Sequence, residues 1–157
     1  MFVIAPWKAQ ALAAGVAETV IQLQTRMGQA IEIVEIVCNF NGTEGSAVPV
    51  LLELCRQRDD GTFSATLVPE ALNPLDLRKG AIQTVAVGTQ TAAPTALHTL
   101  HTWQRHPQGG LNYRLPDNRD ARAGAPMKLI VPGDNRLGLV VTAPAIVSCS
   151  GYIKWRE

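Results

Sequence analysis

The chain has 157 residues, with 14 basic and 13 acidic side chains, so 17% are charged and the formal net charge is +1. A globular domain ordinarily carries about 25% charged residues, so this chain is poor in charge. The length suits one domain, and the hydrophobic content of 46% excludes intrinsic disorder. No run approaches the ~18–20 apolar residues of a membrane span. A net charge of +1 argues against general nucleic-acid binding, which depends on clustered Lys and Arg.

Short β-branched runs alternate with Gly, Pro, Asn and Asp turns, a pattern typical of an all-β sandwich or barrel. In the run 30–40 the alternation changes phase near Ile33 and Val34, which predicts a β-bulge. Asp59–Gly61 is predicted to close a hairpin. The predicted strands are Glu18–Gln24, Ala30–Phe40, Val48–Gln57, Thr62–Val68, Leu97–His106, Leu111–Leu115, Met127–Val131, Leu137–Thr142 and Ile146–Trp155.

This spacing predicts a Greek-key or jelly-roll β-sandwich of about eight or nine strands over residues 16–157. Residues 1–15 are interpreted as an extended N-terminal arm, because no signal-peptide pattern is present and no strand is evident there. The arm holds Phe2, Ile4 and Trp7, which we expect to pack on the sandwich or on a neighbouring chain. Removing residues 1–14 is expected to leave the sandwich folded.

Two long stretches of the sequence carry no charge. In one of these, Leu137–Ile153, the absence of charge is explained by two buried strands joined at Pro144. The 25 residues Gly80–Gln104 are harder to explain, since they include an irregular connection and loops normally face water. Either Gly80–Gly88 is a further strand, or the stretch is a surface covered by another chain, as the charge-depleted cores of interfaces are.

No catalytic, cofactor-binding or metal-binding residue is predicted. His98 and His101 are three apart, so on a regular strand they face opposite sides and cannot share a metal unless a bulge intervenes. The serines lack a GxSxG context, and the three cysteines are interpreted as buried, reduced thiols, with a Cys38–Cys55 bridge as the minor alternative. Trp103 is expected to be partly buried, and stacking on a sugar is its alternative role. The sequence therefore favours a protein that is not an enzyme.

Several short sequence segments, taken together in their order along the chain, resemble a family of small virion proteins of tailed bacteriophages and prophages. The resemblance covers about residues 16–156. The segments are Asn41–Leu54, Trp103–Gly110, Pro132–Leu139, Val141–Pro144 and Gly151–Ile153.

The resemblance implies a structural virion protein of jelly-roll type, most often a head decoration (cement) protein that forms a homotrimer and binds the major capsid protein shell. It implies assembly in the host cytoplasm and no cofactor. A neck, tail or fibre-associated protein with a sugar- or protein-binding role is the alternative. The contact elements are predicted to be the arm and the uncharged connection 80–96, with the residues Phe2, Ile4, Trp7, Ile82, Val85 and Val87.

Overall fold

The computed structural model describes residues 2–42, 48–72, 82–115 and 128–157, and of residues 82–84 the backbone alone. The described residues form strands and connecting segments, and no helix among them is long and apolar enough to cross a membrane. The all-β prediction is confirmed. The strands are β1 (Phe2–Leu12), β2 (Ala17–Thr25), β3 (Ile31–Phe40), β4 (Val50–Gln57), β5 (Thr62–Leu67), β6 (Glu70–Ala71), β7 (Ile82–Ala92), β8 (Ala96–Arg105), β9 (Gly110–Arg114), β10 (Leu129–Val131), β11 (Arg136–Thr142) and β12 (Val147–Arg156).

The strands form two antiparallel sheets that pack face to face. The first sheet has the order β10-β3-β12-β1-β6 with β9 also on β3, and the second has the order β5-β7-β2-β11-β4-β8. Eight of these strands, β1-β12-β3-β9 opposite β2-β11-β4-β8, have the order of a jelly roll. The other four widen it: β7 and β5 extend the second sheet beyond β2, β6 lies beside β1, and β10 lies beside β3.

The core lies between the sheets and is built from alternating aliphatic side chains. On β3, Ile31 and Ile33 face inward, and after a shift in phase Ile36 and Cys38 do so. The pairing with β12 shows the cause, because Trp155 lies opposite Ile33 while Lys154 lies opposite Glu35, which leaves Val34 as an extra residue. The predicted bulge is confirmed, and it keeps both halves of the longest predicted strand facing the core.

The segment predicted as an arm is strand β1 of the first sheet. It pairs with β12 along most of its length, from Phe2 opposite Arg156 to Leu12 opposite Val147. The alternating residues Val3, Ala5 and Trp7 are buried between the sheets. The arm prediction is wrong because the partner strand lies at the opposite end of the chain, where no local pattern reveals it. The sandwich is therefore built from residues 2–12 as well as from the predicted domain.

The predicted hairpin at Asp59–Gly61 is also wrong, because β5 pairs with β7 and not with β4. The connection 58–61 instead crosses the end of the second sheet. Gln22 Nε2 donates to the carbonyl oxygen of Asp59 at 3.0 Å, and Asp60 forms an ion pair with Arg136 of β11. The twelve strands exceed the predicted eight or nine because β1, β6 and β7 were not recognised as strands.

Candidate interaction surfaces

The predicted contact residues do not form a common surface. Trp7, Val85 and Val87 are buried in the core of the sandwich, so their assignment as surface contacts is wrong. Ile4 is half-buried, and Phe2 is 41% exposed on the outer side of β1. The side chain of Ile82 lies outside the described residues. From Ile82 to Ala92 the uncharged connection is strand β7, which lies between β2 and β5, so the alternative of a further strand is the correct one for this part.

The second half of the same uncharged stretch has the opposite environment, because β8 lies at the edge of the second sheet. In the part of the chain that the structure describes, β8 pairs with β4 alone. Seven of its side chains are exposed, and among these Arg105 at the end of the strand is the only charged one; we call the six uncharged ones the β8 strip. They are Ala96, Leu97, His98, Thr99, Thr102 and Gln104.

An aromatic cluster lies beside the β8 strip, on the side of β8 that faces the core. His101 and Trp103 stack with ring centroids 5.6 Å apart and an interplanar angle of 14°. Tyr113 of β9 lies 4.9 Å from Trp103 and 5.3 Å from His101. Trp103 and Tyr113 pack against the core and remain partly exposed, as predicted for Trp103. The cluster thus covers the opening between the two sheets where β8 and β9 form their edges.

Two bulges in β8 change which histidines share a side. Leu97 and Leu100 are the extra residues, so His98 lies opposite Arg56 and His101 opposite Leu54, two residues apart on β4. The two histidines therefore lie on one side of the strand, contrary to the expectation for a regular strand. Within the described ranges, however, no group of three or more His, Cys, Asp or Glu side chains is arranged to hold a metal ion.

The cysteines are buried and free, and Cys38 and Cys55 lie in different sheets. Cys38 of β3 lies diagonally across from Cys149 of β12, since Cys38 is opposite Gly151 and Cys149 is opposite Phe40. The hydrogen bond between these thiols, followed by burial, raises the pKa of Cys38 above its ordinary value. Burial similarly raises the pKa of Cys55. Cys38 and Cys55 therefore stay protonated thiols, which are weak nucleophiles and weak metal ligands.

The outer side of the first sheet has a different chemistry from the β8 strip. Arg114 donates to Glu35 at 2.6 Å, a bond that raises the pKa of Arg114, and Glu32 contacts Lys128 at 3.6 Å and Arg156 at 3.7 Å. Phe2 lies beneath Lys154 and Arg156, whose charged groups are 5.1 and 5.2 Å from its ring centre. We call this the charged face: Phe2, Glu32, Glu35, Arg114, Lys128, Lys154 and Arg156.

Comparison with known proteins adds no identification, because no family model, no curated protein and no solved structure matches the chain. The fold and the two surfaces are therefore the basis for any functional assignment. The resemblance to phage virion proteins stays a prediction.

Proposed function

We propose that the protein is a structural component of a tailed-phage particle, a head decoration protein that binds the major capsid protein shell through the β8 strip. In this proposal its role is binding and not catalysis, and it forms a homotrimer. The β8 strip is the observation that carries the proposal.

Two physical properties make the β8 strip suited to protein contact. An edge strand presents unpaired backbone N–H and C=O groups, and proteins usually protect such edges with charges, proline, bulges or a covering segment. Nine consecutive residues of β8, Ala96–Gln104, have neither charge nor proline, and the bulges at Leu97 and Leu100 are the protective feature that they do have. Interface cores are likewise depleted in charge, since a charge buried without a partner loses its hydration.

Pairing with β4 along β8 places the β8 strip on a sheet and not on a loop. Several copies that bind one shell at symmetric positions gain avidity even when each contact is small. The charged face lies on the other sheet and is suited to remaining in water, since its charges already pair with one another.

The experiment is a co-sedimentation titration with empty shells assembled from the major capsid protein of the same particle. Leu97→Glu places a charge in the β8 strip, and we expect saturable binding to fall at least about tenfold, because the carboxylate must be desolvated on contact. Light scattering of the free wild-type protein is expected to give three times the chain mass of 16.9 kDa.

Ile130→Glu is the matched control, because Ile130 and Leu97 are both 51% exposed and Ile130 lies on β10 of the other sheet. We expect this variant to bind shells as the wild type does. Equal binding by Leu97→Glu and the wild type would overturn the β8 assignment. A protein that stays monomeric and ignores shells would overturn the decoration function itself.

A second candidate function, a sugar-binding protein of the neck, tail or fibre, follows from the aromatic cluster. Sugar rings stack on aromatic side chains, and Trp103, Tyr113 and His101 form a partly exposed aromatic surface. A glycan-array signal that Trp103→Ala abolishes, with the melting temperature of the variant recorded beside it, would favour this function over shell binding.

A further inference from the structure

A groove of about 730 Å³ lies between the two sheets at the edge opposite the aromatic cluster. It exists because the sheets differ in extent there. The second sheet continues beyond β2 with two strands, β7 and β5, whereas the first continues beyond β1 only with the two-residue strand β6. Strand β6 covers Val3 and Ile4, so residues 6–11 of β1 form one wall of the groove and β5 and β7 form the other. We call this the β1 groove.

The backbone is irregular on both walls. In β1 the pairing with β12 shifts between Trp7 and Gln10, which places Lys8 and Ala9 in a bulge. In the facing wall Ser64 of β5 lies opposite two residues of β7, Gly88 and Thr89. Gly88 has a φ of +91°, a conformation that side-chain-bearing residues rarely adopt. Bulges and strand glycines are frequent beside ligand sites, where they redirect side chains and allow close approach.

The side chains give the groove an apolar interior and a single charge. Trp7, Leu67 and Val87 contribute apolar surface, and among the described lining residues Lys8 is the only charged one. Lys8 forms no ion pair with the carboxylates of the described ranges. Gln10 also lines the groove, is 8% exposed, and has an Oε1 atom without a hydrogen-bond partner among the described residues. Because Oε1 accepts and does not donate, it is not a partner for an anionic group, and Lys8 is the cationic donor among the described lining residues.

An added β-strand is a poor occupant of this groove. Leu72 N donates to Phe2 O, so the backbone groups of Phe2 and of alternate residues after it point toward the groove side of β1. Pro6 is one of these and has no N–H to donate. Further along β1 come the charged residue Lys8 and the bulge that Lys8 forms with Ala9. Proline, lysine and a bulge are the features that protect a sheet edge from strand addition.

We propose that the β1 groove binds a small amphipathic carboxylate. Its apolar body lies against Trp7, Leu67 and Val87. Its carboxylate pairs with the ammonium group of Lys8 and accepts hydrogen bonds from the hydroxyl groups of Ser64 and Thr89. The volume falls within the ~300–1,000 Å³ typical of small-molecule sites, whose walls are mostly apolar with a few polar groups. The proposal is independent of shell binding, because the groove and the β8 strip lie at opposite edges of the sandwich.

The test is calorimetric titration of the full-length protein with decanoate, below its micellar concentration, and with the uncharged analogue decanol. We expect saturable binding of decanoate at one site. Lys8→Gln should weaken it about fivefold, as expected for a partly exposed ion pair, and should leave the affinity for decanol unchanged. Ala65→Phe, which fills the groove from β5, should abolish binding of both.

Lys154→Gln and Ala96→Phe are the matched controls, since they make the same chemical changes outside the groove, and both should bind decanoate as the wild type does. The melting temperature of each variant shows whether it is folded. The proposal fails if the wild type binds no decanoate, or if a folded Ala65→Phe variant binds it unchanged. It also fails if the groove variants change the oligomeric mass instead, because the occupant is then a second copy of the chain.

Discussion

Strands β7 and β8 come from one uncharged stretch of sequence and have opposite environments. Strand β7 lies inside the second sheet with Val85 and Val87 buried, while β8 lies at its edge with Leu97 and Thr99 exposed. The absence of charge is therefore shared by a core strand and a surface strand. What separates them is their place in the sheet, because β7 has a neighbouring strand on each side, β2 and β5, whereas β8 pairs with β4 alone among the described strands. Substitutions in β7 and β8, and removal of β1, should therefore differ widely in their effect on stability.

The largest effect is expected from deleting residues 2–12. This removes Val3, Trp7 and Leu12 from the core, and burying three large side chains contributes roughly 5–9 kcal/mol. A whole domain is stable by only about 5–15 kcal/mol. We expect the truncated protein to lose its cooperative thermal transition in circular dichroism. The exposed change Ala11→Ser on the same strand is the control and should melt as the wild type does; a cooperative melt of the truncated protein would show that β1 is a dispensable arm after all.

A carboxylate in β7 should have the next largest effect. Val85 is fully buried, so Val85→Asp places an unpaired charge in the core and should lower the free energy of unfolding by about 4 kcal/mol or more. Gln104→Asp in β8 should change it by less than about 0.5 kcal/mol, because Gln104 is exposed and the new charge stays in water. Urea denaturation measures both values. Similar losses in the two variants would contradict the opposite environments of the two strands.

A smaller effect is expected where β1 packs on β12. A Cβ atom at Gly151 would clash first with the backbone carbonyl oxygen of Val37 on β3 and would also lie 2.8 Å from the Trp7 ring. Gly151→Ala should therefore cost about 1–3 kcal/mol in urea denaturation, as overpacking of a core does. At Gly109 the nearest atom, His106 O, would be 3.4 Å away, so Gly109→Ala is the control and should be close to neutral. A neutral Gly151→Ala would contradict the close approach of both the Val37 carbonyl oxygen and the Trp7 ring to this glycine.

The smallest effect concerns Asp59, which holds the connection between β7 and β8. Its carboxylate accepts hydrogen bonds from the backbone N–H of Thr95 at 2.7 Å and from the Thr95 hydroxyl at 2.9 Å. These bonds lower the pKa of Asp59 below its ordinary value of 3.8. A lowered pKa in the folded state stabilises the protein above pH 3.8, and this contribution disappears as the pH falls through the lower folded value.

Asp59→Asn should accordingly melt at a lower temperature than the wild type at neutral pH, and the difference should shrink as the solution is acidified below pH 3.8. Calorimetric melting curves of both proteins across this range measure it. Glu70→Gln serves as a matched control on β6. A difference in melting temperature that does not depend on pH would show that the charge of Asp59 plays no part.

Much of the fold could be predicted from local pattern. The phase change at Ile33 and Val34 locates the bulge in β3, and nine of the twelve strands follow from alternation and turns. Strand β1 could not be found this way, because its partner β12 lies about 140 residues away and a bulge after Trp7 interrupts its alternation. The pairing of β5 with β7 was missed for the same reason, since a turn sequence does not determine which strand the next one joins.

The candidate sites differ in how far sequence alone could reveal them. The charge-free run that contains β8 is visible in the sequence, although its exposure depends on β8 being an edge strand. The two bulges in β8, which bring His98 and His101 to one side, leave no clear local signal. The β1 groove could not be predicted from the sequence, because it forms only where β1 of one sheet faces β5 and β7 of the other.

Hydrogen–deuterium exchange of the protein, free and bound to empty shells, distinguishes contact at β8 from contact at the charged face. We expect the backbone amides of β8, residues 96–105, to exchange more slowly when the shell is bound, because shell contact covers an unpaired strand edge. Amides of β10, residues 129–131, beside the charged face, should exchange at the same rate in both states. Unchanged exchange in β8, with protection appearing at β10, would contradict the claim that the uncharged edge is the contact surface.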